Sequence, residues 1–180
     1  MIVMPRFLDI EASSLNDSSY PIEIAWSDPY GNIESHLINP YFIDHWTDWS
    51  FKSQQIHNIS RKELREKGIS PMAICDHMVD SISSGEIIYA DGGIFDENWI
   101  NVVFKQGSDA GVSHFTVVHS NTILIPLLEK IENDRRKRWK LYENLKDEAR
   151  KMVDGQHRAK VDVEYLIELW KLCLIMSNNV

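Results

Sequence analysis

The segments RFLDIEA (6–12), IEIAWS (22–27) and IESHLIN (33–39) read as three strands, the last two joined by DPYGN (28–32), where Pro29 and Gly31 mark a turn. A β-meander is the simplest arrangement of these segments. The first is the most informative, because Asp9 and Glu11 sit two apart in an otherwise apolar run. Alternation places both carboxylates on one face, roughly 7 Å apart at about 3.3 Å per residue.

Beyond residue 39 the pattern changes. YFIDHWTDWSFKSQQIHNIS (41–60) has no clean period and reads as a long ordered loop, and Ser60 with Glu63 has the capping-box spacing that opens a short helix. Ser70-Pro71 opens another, with Ile74, Met78 and Ile82 on one face and an end near Ser84-Gly85. A short buried strand follows at Ile87–Ala90, then the Asp91-Gly92-Gly93 turn, a helix from Phe95 to Lys105 and a strand from Phe115 to His119. The remainder reads as helical. Thr122 caps a helix in which Pro126 is tolerated in the first turn, and Val163, Leu166, Ile167, Trp170 and Cys173 form a final amphipathic face. Three antiparallel strands followed by strands alternating with helices predict an α/β domain on a mixed sheet.

Composition agrees with a single domain over residues 1–180: 43% hydrophobic and 26% charged residues suit a soluble globular chain with a sizeable core. Cys75 and Cys173 stand far apart with no CxxC pair, which predicts neither a disulfide framework nor a zinc–cysteine site and fits a reducing cytoplasm. Pro5, Arg6, Asp9 and Glu11 interrupt the apolar start, so no signal peptide is expected, and no apolar run is long enough to span a membrane. The net charge of −8 at first opposes a nucleic-acid partner. It is unevenly spread: residues 129–151 hold nine Lys/Arg against six acids, leaving +3 there and −11 elsewhere.

Three groups of residues invite chemistry. Asp9 and Glu11 repel each other on a central strand with little water, and a divalent cation with oxygen ligands is an economical neutraliser. The competing structural reading is an edge strand with one solvated acidic face. Asp96 opens a helix just after a strand and a Gly-rich turn, where it either completes a metal site or merely complements the helix dipole, with Asp91 as its competitor. His157 and Asp162, five apart at a helix start behind a glycine-containing loop, offer a base and a further carboxylate, although a histidine there is often simply solvated. His114 and His119, five apart in a strand, fall on opposite faces and make a poor metal pair. There is no GxSxG, P-loop or dinucleotide fingerprint.

The three segments FLDIEASSL, YADGGIFDENWI and HRAKVDVEYLIELW, in this order, resemble the motifs of the histidine subgroup of the DEDD 3′-to-5′ exonucleases. The resemblance runs from about Phe7 to Leu172. It implies a ribonuclease-H-like mixed sheet flanked by helices. It also implies that Asp9, Glu11, Asp96 and Asp162 hold two divalent ions, Mg²⁺ or Mn²⁺, with His157 as general base. Two such ions about 3.5 to 4 Å apart activate a water and stabilise a leaving oxygen, and their charge lets an acidic protein take a polyanion. The sequence departs from the family's usual residues at Lys160, Val161, Asp91 and Gly92, which bears on substrate choice more than on the five functional positions.

By the same resemblance Ala12, Ser13 and Leu15 touch the terminal nucleotide, Leu15 as an apolar wedge with ordinary core as its alternative. Phe95, Trp46 and Trp49 are candidate stacking aromatics, or packing for the long loop. His57 either lines the cleft or is a satisfied structural histidine. The run Arg135-Arg136-Lys137-Arg138 with Trp139 and Lys140 is a candidate phosphate track or a solvated helix face. The expected activity is metal-dependent release of nucleoside 5′-monophosphates from single-stranded nucleic acid, RNA ahead of DNA, with a homodimer compatible with the family. Alternative readings are a catalytically weak nucleic-acid-binding or adaptor module on the same fold, or acids that are surface charge.

Overall fold

The computed structural model describes residues 3–155 and 157–178. Met1 and Ile2 of the apolar start, and Gln156 just before His157, therefore lie outside the described residues. Five strands, β1 (Arg6–Ala12), β2 (Pro21–Ser27), β3 (Ile33–Leu37), β4 (Ile87–Ala90) and β5 (Thr116–His119), form one sheet in the order β3-β2-β1-β4-β5. β1, β2 and β3 pair antiparallel, while β4 and β5 add in parallel beyond β1. This is the α/β mixed sheet expected from the strand pattern. The 28–32 turn closes as its composition requires: Asp28 accepts from the backbone N–H groups of Tyr30 and Asn32, and Gly31 takes φ +91°.

Among the described residues, seven α-helices accompany the sheet: α1 (Phe51–His57), α2 (Arg61–Lys67), α3 (Pro71–Ser81), α4 (Ile94–Gly107), α5 (Asn121–Glu129), α6 (Arg135–Met152) and α7 (Ala159–Asn178). Leu8, Ile10, Ile22, Ile24, Trp26 and Ile88 pack with Ile74 and Met78 of α3 and Ile100, Val103 and Phe104 of α4. Phe7 and Ala25 join the second core with residues of α5, α6 and α7, among them Leu124, Tyr142, Leu145, Val163, Leu166 and Leu169. Because β1 is central, both of its faces are covered, and the alternation that sends Leu8 and Ile10 to one core sends Asp9 and Glu11 towards α7. Cys75 and Cys173 are free and buried in different cores.

Several boundaries differ from the sequence reading. The stretch read as loop contains α1: the Ser50 side chain caps it by accepting from Ser53 N–H, and Asn58 in the left-handed region ends it. Two turns lying mostly exposed leave no apolar period to detect. α3 stops at Ser81, before Ser84-Gly85. α5 begins directly after Ser120, so Pro126 is its sixth residue and lies in the second turn rather than the first. Pro126 is exposed, and so is Thr122, the residue whose carbonyl loses an N–H partner, which lowers the cost. Among the described residues, no helix is long and apolar enough to cross a membrane.

Candidate active site

The alternation of β1 and the start of α7 meet in a cleft of about 320 Å³. Asp9, Glu11, Asp162 and His157 line it, together with Asp91, Gly92, Arg150 and Tyr165. One carboxylate oxygen from each of Glu11 and Asp162 and one ring nitrogen of His157 all lie within 4.8 Å of one another. His157 is exposed and has φ 58°, a strained value for a side-chain-bearing residue, two residues ahead of the first residue of α7.

Asp96 is placed differently. It is the third residue of α4, only 2% exposed, and forms no part of the cleft wall. It lies behind the turn: a Cβ at Gly92 would come within 2.6 Å of Asp96 Oδ2. Oδ2 has no hydrogen-bond partner. Asp91, the competitor, reaches the cleft itself and accepts from Ser120 Oγ at 3.2 Å.

So many carboxyls in one place disfavour ionisation. Burial pushes Asp9 well above the ordinary carboxylate range, and Asp96, Asp162, Glu11 and Asp91 push in the same direction. Glu11 is raised to about 8, first by burial and then by Asp162 and Glu23, with Arg158 opposing. Asp96 is raised to about 7 by burial, with the Gly92 N–H opposing and Asp91 adding to the rise. An orphaned buried carboxylate oxygen, three convergent donor atoms and mutually repelling acids form a donor set that fits hard divalent cations.

One ion pair sets this geometry. Glu23 lies directly opposite Glu11 in the β1–β2 ladder, an arrangement that is destabilising unless one charge is met. Arg158 meets it, donating from Nη2 to Oε1 at 2.7 Å and from Nε to Oε2 at 3.0 Å, and the Ala159 N–H donates to the same Oε2 at 2.9 Å. A carboxylate from β2 therefore caps α7 at that N–H. On the other side of the cleft, Arg150 Nη1 donates to Asp162 Oδ1 at 2.7 Å and stacks 3.8 Å over the Tyr165 ring.

Ala12 and Leu15 border a smaller adjoining pocket of about 130 Å³, with Glu11, Ser14, His57 and Trp99. Leu15 is 76% exposed, so the core alternative for it fails. Ser13 is fully buried, its Oγ accepting from Tyr20 N–H and its carbonyl from Ser50 N–H, and Ser14 takes the place in the pocket wall. Trp46 is buried and stacks on Tyr20, and Trp49 donates to Gln54, so both tryptophans hold the 41–60 segment down. Phe95 stays half-exposed beside Trp99. His57 is buried; its Nδ1 accepts from Ile59 N–H, which leaves Nε2 as the proton-bearing and unpartnered nitrogen, and burial lowers its pKa to about 4.

Arg135, Arg136, Lys137, Trp139 and Lys140 are exposed on the first turns of α6, while Arg138 pairs with Glu129. Sequence reasoning missed Glu23, Arg150 and Tyr165. Glu23 carried a detectable signal, as a single acid inside an apolar strand segment; the other two carried none.

No known protein-family profile matches the chain, and no curated protein matches it. Solved structures do. The zinc-bound form of the Escherichia coli exonuclease I complex with single-stranded DNA superposes with a TM-score of 0.64 at 16% identity, over 94% of this chain and 40% of that one. Product-bound exonuclease I gives 0.62 at 18% identity, over 94% and 43%. Exonuclease I of Methylocaldum szegediense gives 0.63 at 11% identity, over 95% and 41%. The likeness establishes a ribonuclease-H-like fold, and the chain spans about two fifths of the length of these exonucleases.

Two outcomes follow from the charge geometry. Carboxyls whose folded pKa is raised hold protons that the unfolded chain releases, so their contribution to stability is complete below about 4.5 and is lost as pH rises towards about 8. In chelator, the melting temperature falls across this window, and Asp9→Asn raises it at pH 8 by ~2–6 °C; an unchanged or lower value at pH 8 contradicts the repulsion. Glu23→Ala strands Arg158 and the α7 N-terminus and lowers unfolding free energy by about 2–4 kcal/mol in urea denaturation. A loss under about 0.5 kcal/mol, the ordinary surface range, refutes that anchoring role.

Proposed function

We propose that this chain is a metal-dependent 3′-to-5′ exonuclease acting on single-stranded nucleic acid. The observation that carries the reading is the convergence of Glu11, His157 and Asp162 beside Asp9 in one open cleft. It is supported by a fold shared with exonucleases whose solved complexes hold single-stranded DNA.

Asp9, Glu11 and Asp162, with Asp96 behind the Gly92 turn, are the residues that would hold two divalent ions, Mg²⁺ or Mn²⁺. When bound, such ions lower the pKa of an attacking water and offset charge on the phosphate and the leaving oxygen. His157, exposed at the cleft edge, accepts the proton of that water as its oxygen bonds to phosphorus. The bond from phosphorus to the 3′ oxygen of the preceding nucleotide breaks, this oxygen takes up a proton, and a nucleoside 5′-monophosphate leaves. Arg150 offers the cleft a guanidinium suited to a phosphate, at the expense of its pair with Asp162. Leu15 and the small pocket next to Glu11 receive the terminal nucleoside, with Ala12 and Ser14 in its wall. RNA is only slightly favoured as the substrate and solved neighbours hold DNA, so both polymers belong in the assay.

With 3′-labelled single-stranded RNA and DNA oligomers and Mn²⁺ or Mg²⁺, wild type releases 5′-monophosphates stepwise. Asp9→Ala and His157→Ala lower the rate by at least ~10²-fold. If no polymer is shortened under either ion, the site is a binding module at most. The exposed start of α6 supplies the approach for longer strands: replacing Arg135, Arg136 and Lys137 with Ala weakens binding of a long oligomer and reduces its salt slope by about 2. An unchanged slope removes α6 from the path.

A further inference from the structure

A second convergence of ligating groups lies on the opposite side of the sheet. Glu34 and His36 are two apart on the edge strand β3, so alternation sets them on one face, and His77 approaches from α3. Glu34 Oε1 lies 2.9 Å from His36 Nε2 and 2.9 Å from His77 Nδ1. All three donor atoms fall within 4.8 Å of one another, and the two imidazole centroids are 4.5 Å apart. Among the described residues, no lysine or arginine pairs with Glu34; the two rings are its partners.

We propose that Glu34, His36 and His77 form a binding site for a borderline transition-metal ion, Zn²⁺ above all. Two neutral imidazoles and one carboxylate are a zinc donor set, whereas Mg²⁺ and Mn²⁺ favour the oxygen-rich cleft around Asp9. Zinc bonds of about 2.0–2.2 Å place tetrahedral donors roughly 3.3–3.5 Å apart, so the cluster opens by about half an ångström to admit the ion. His77 is half-exposed and on a different element from the other two, which allows that movement.

The support beneath is rigid. Trp26, opposite Glu34 on β2 and fully buried, packs its ring 5.7 Å from His36 and donates from Nε1 to Ser81 Oγ at the end of α3. Glu34 also borders a surface cleft with Trp26 and Tyr30, which gives an ion a way in. Three protein donors leave a fourth position for water, and the bound ion ties the edge strand to α3.

The site is independent of the nuclease reading, and the test separates them. Metal-stripped protein is titrated with Zn²⁺ against a chromophoric chelator, and with Co²⁺ while its visible absorption is recorded. The proteins compared are wild type, His77→Ala, His36→Ala and the cleft variant Asp9→Asn/His157→Ala. The expected result is one Zn²⁺ equivalent retained by the cleft variant and lost, or weakened at least ~10-fold, in each of His77→Ala and His36→Ala. The cleft variant should gain melting temperature with Zn²⁺, and His77→Ala introduced into it should abolish that gain. Full zinc uptake by His77→Ala and His36→Ala, or loss of all uptake in the cleft variant, overturns the proposal and leaves a hydrogen-bonded triad. Neither outcome bears on whether the cleft hydrolyses nucleic acid.

Discussion

The site depends on Glu23. Its carboxylate is almost wholly buried on β2, directly across from Glu11, and it would be intolerable there without the fork of Arg158 and the N–H of Ala159. Those bonds fix where α7 begins. With that start set, Asp162 falls one turn into the helix and His157 just ahead of it, both over the face of β1 that carries Asp9 and Glu11. One ion pair, buried on its Glu23 side, thereby joins residues more than 130 positions apart and gives the cleft its second wall.

The same ladder position explains the charge imbalance around Glu11. Burial first, and then repulsion by Asp162 and Glu23, lift the Glu11 pKa to about 8, and Arg158, committed to Glu23, opposes the rise only in part. Arg150 pairs with Asp162, whereas the charged groups acting on Asp9 are all acids. The protein maintains an under-neutralised acidic cleft inside a well-packed fold, and such concentrated perturbation is a mark of functional sites. Lower stability towards neutral pH is the expected consequence, and a cation held by these carboxylates would offset it.

Much of the fold was legible because its signals are local. The β1 alternation, the DPYGN turn, the Ser60 cap and the apolar stripe of α7 each rest on residues within a few positions of one another, and the structure has them all. Helix α1 was not legible, since two exposed turns bury too little to impose a period. Pro126 was misplaced within α5 because a solvent-facing proline is tolerated deeper in a helix than a buried one.

For the candidate site, the residue types and their order along the chain were readable: Asp9 and Glu11 as anomalies in an apolar strand, Asp96 after a Gly-rich turn, His157 and Asp162 at a helix start. Only the tertiary structure decided which of them share a cavity. It put Asp96 behind Gly92 and Asp91 in the wall, set Ser14 rather than Ser13 at the adjoining pocket, and brought Arg150 to Asp162. The reason is physical: alternation and helical period state which face a side chain takes, whereas the distance between two faces is set by packing and by long-range ion pairs such as Glu23 with Arg158.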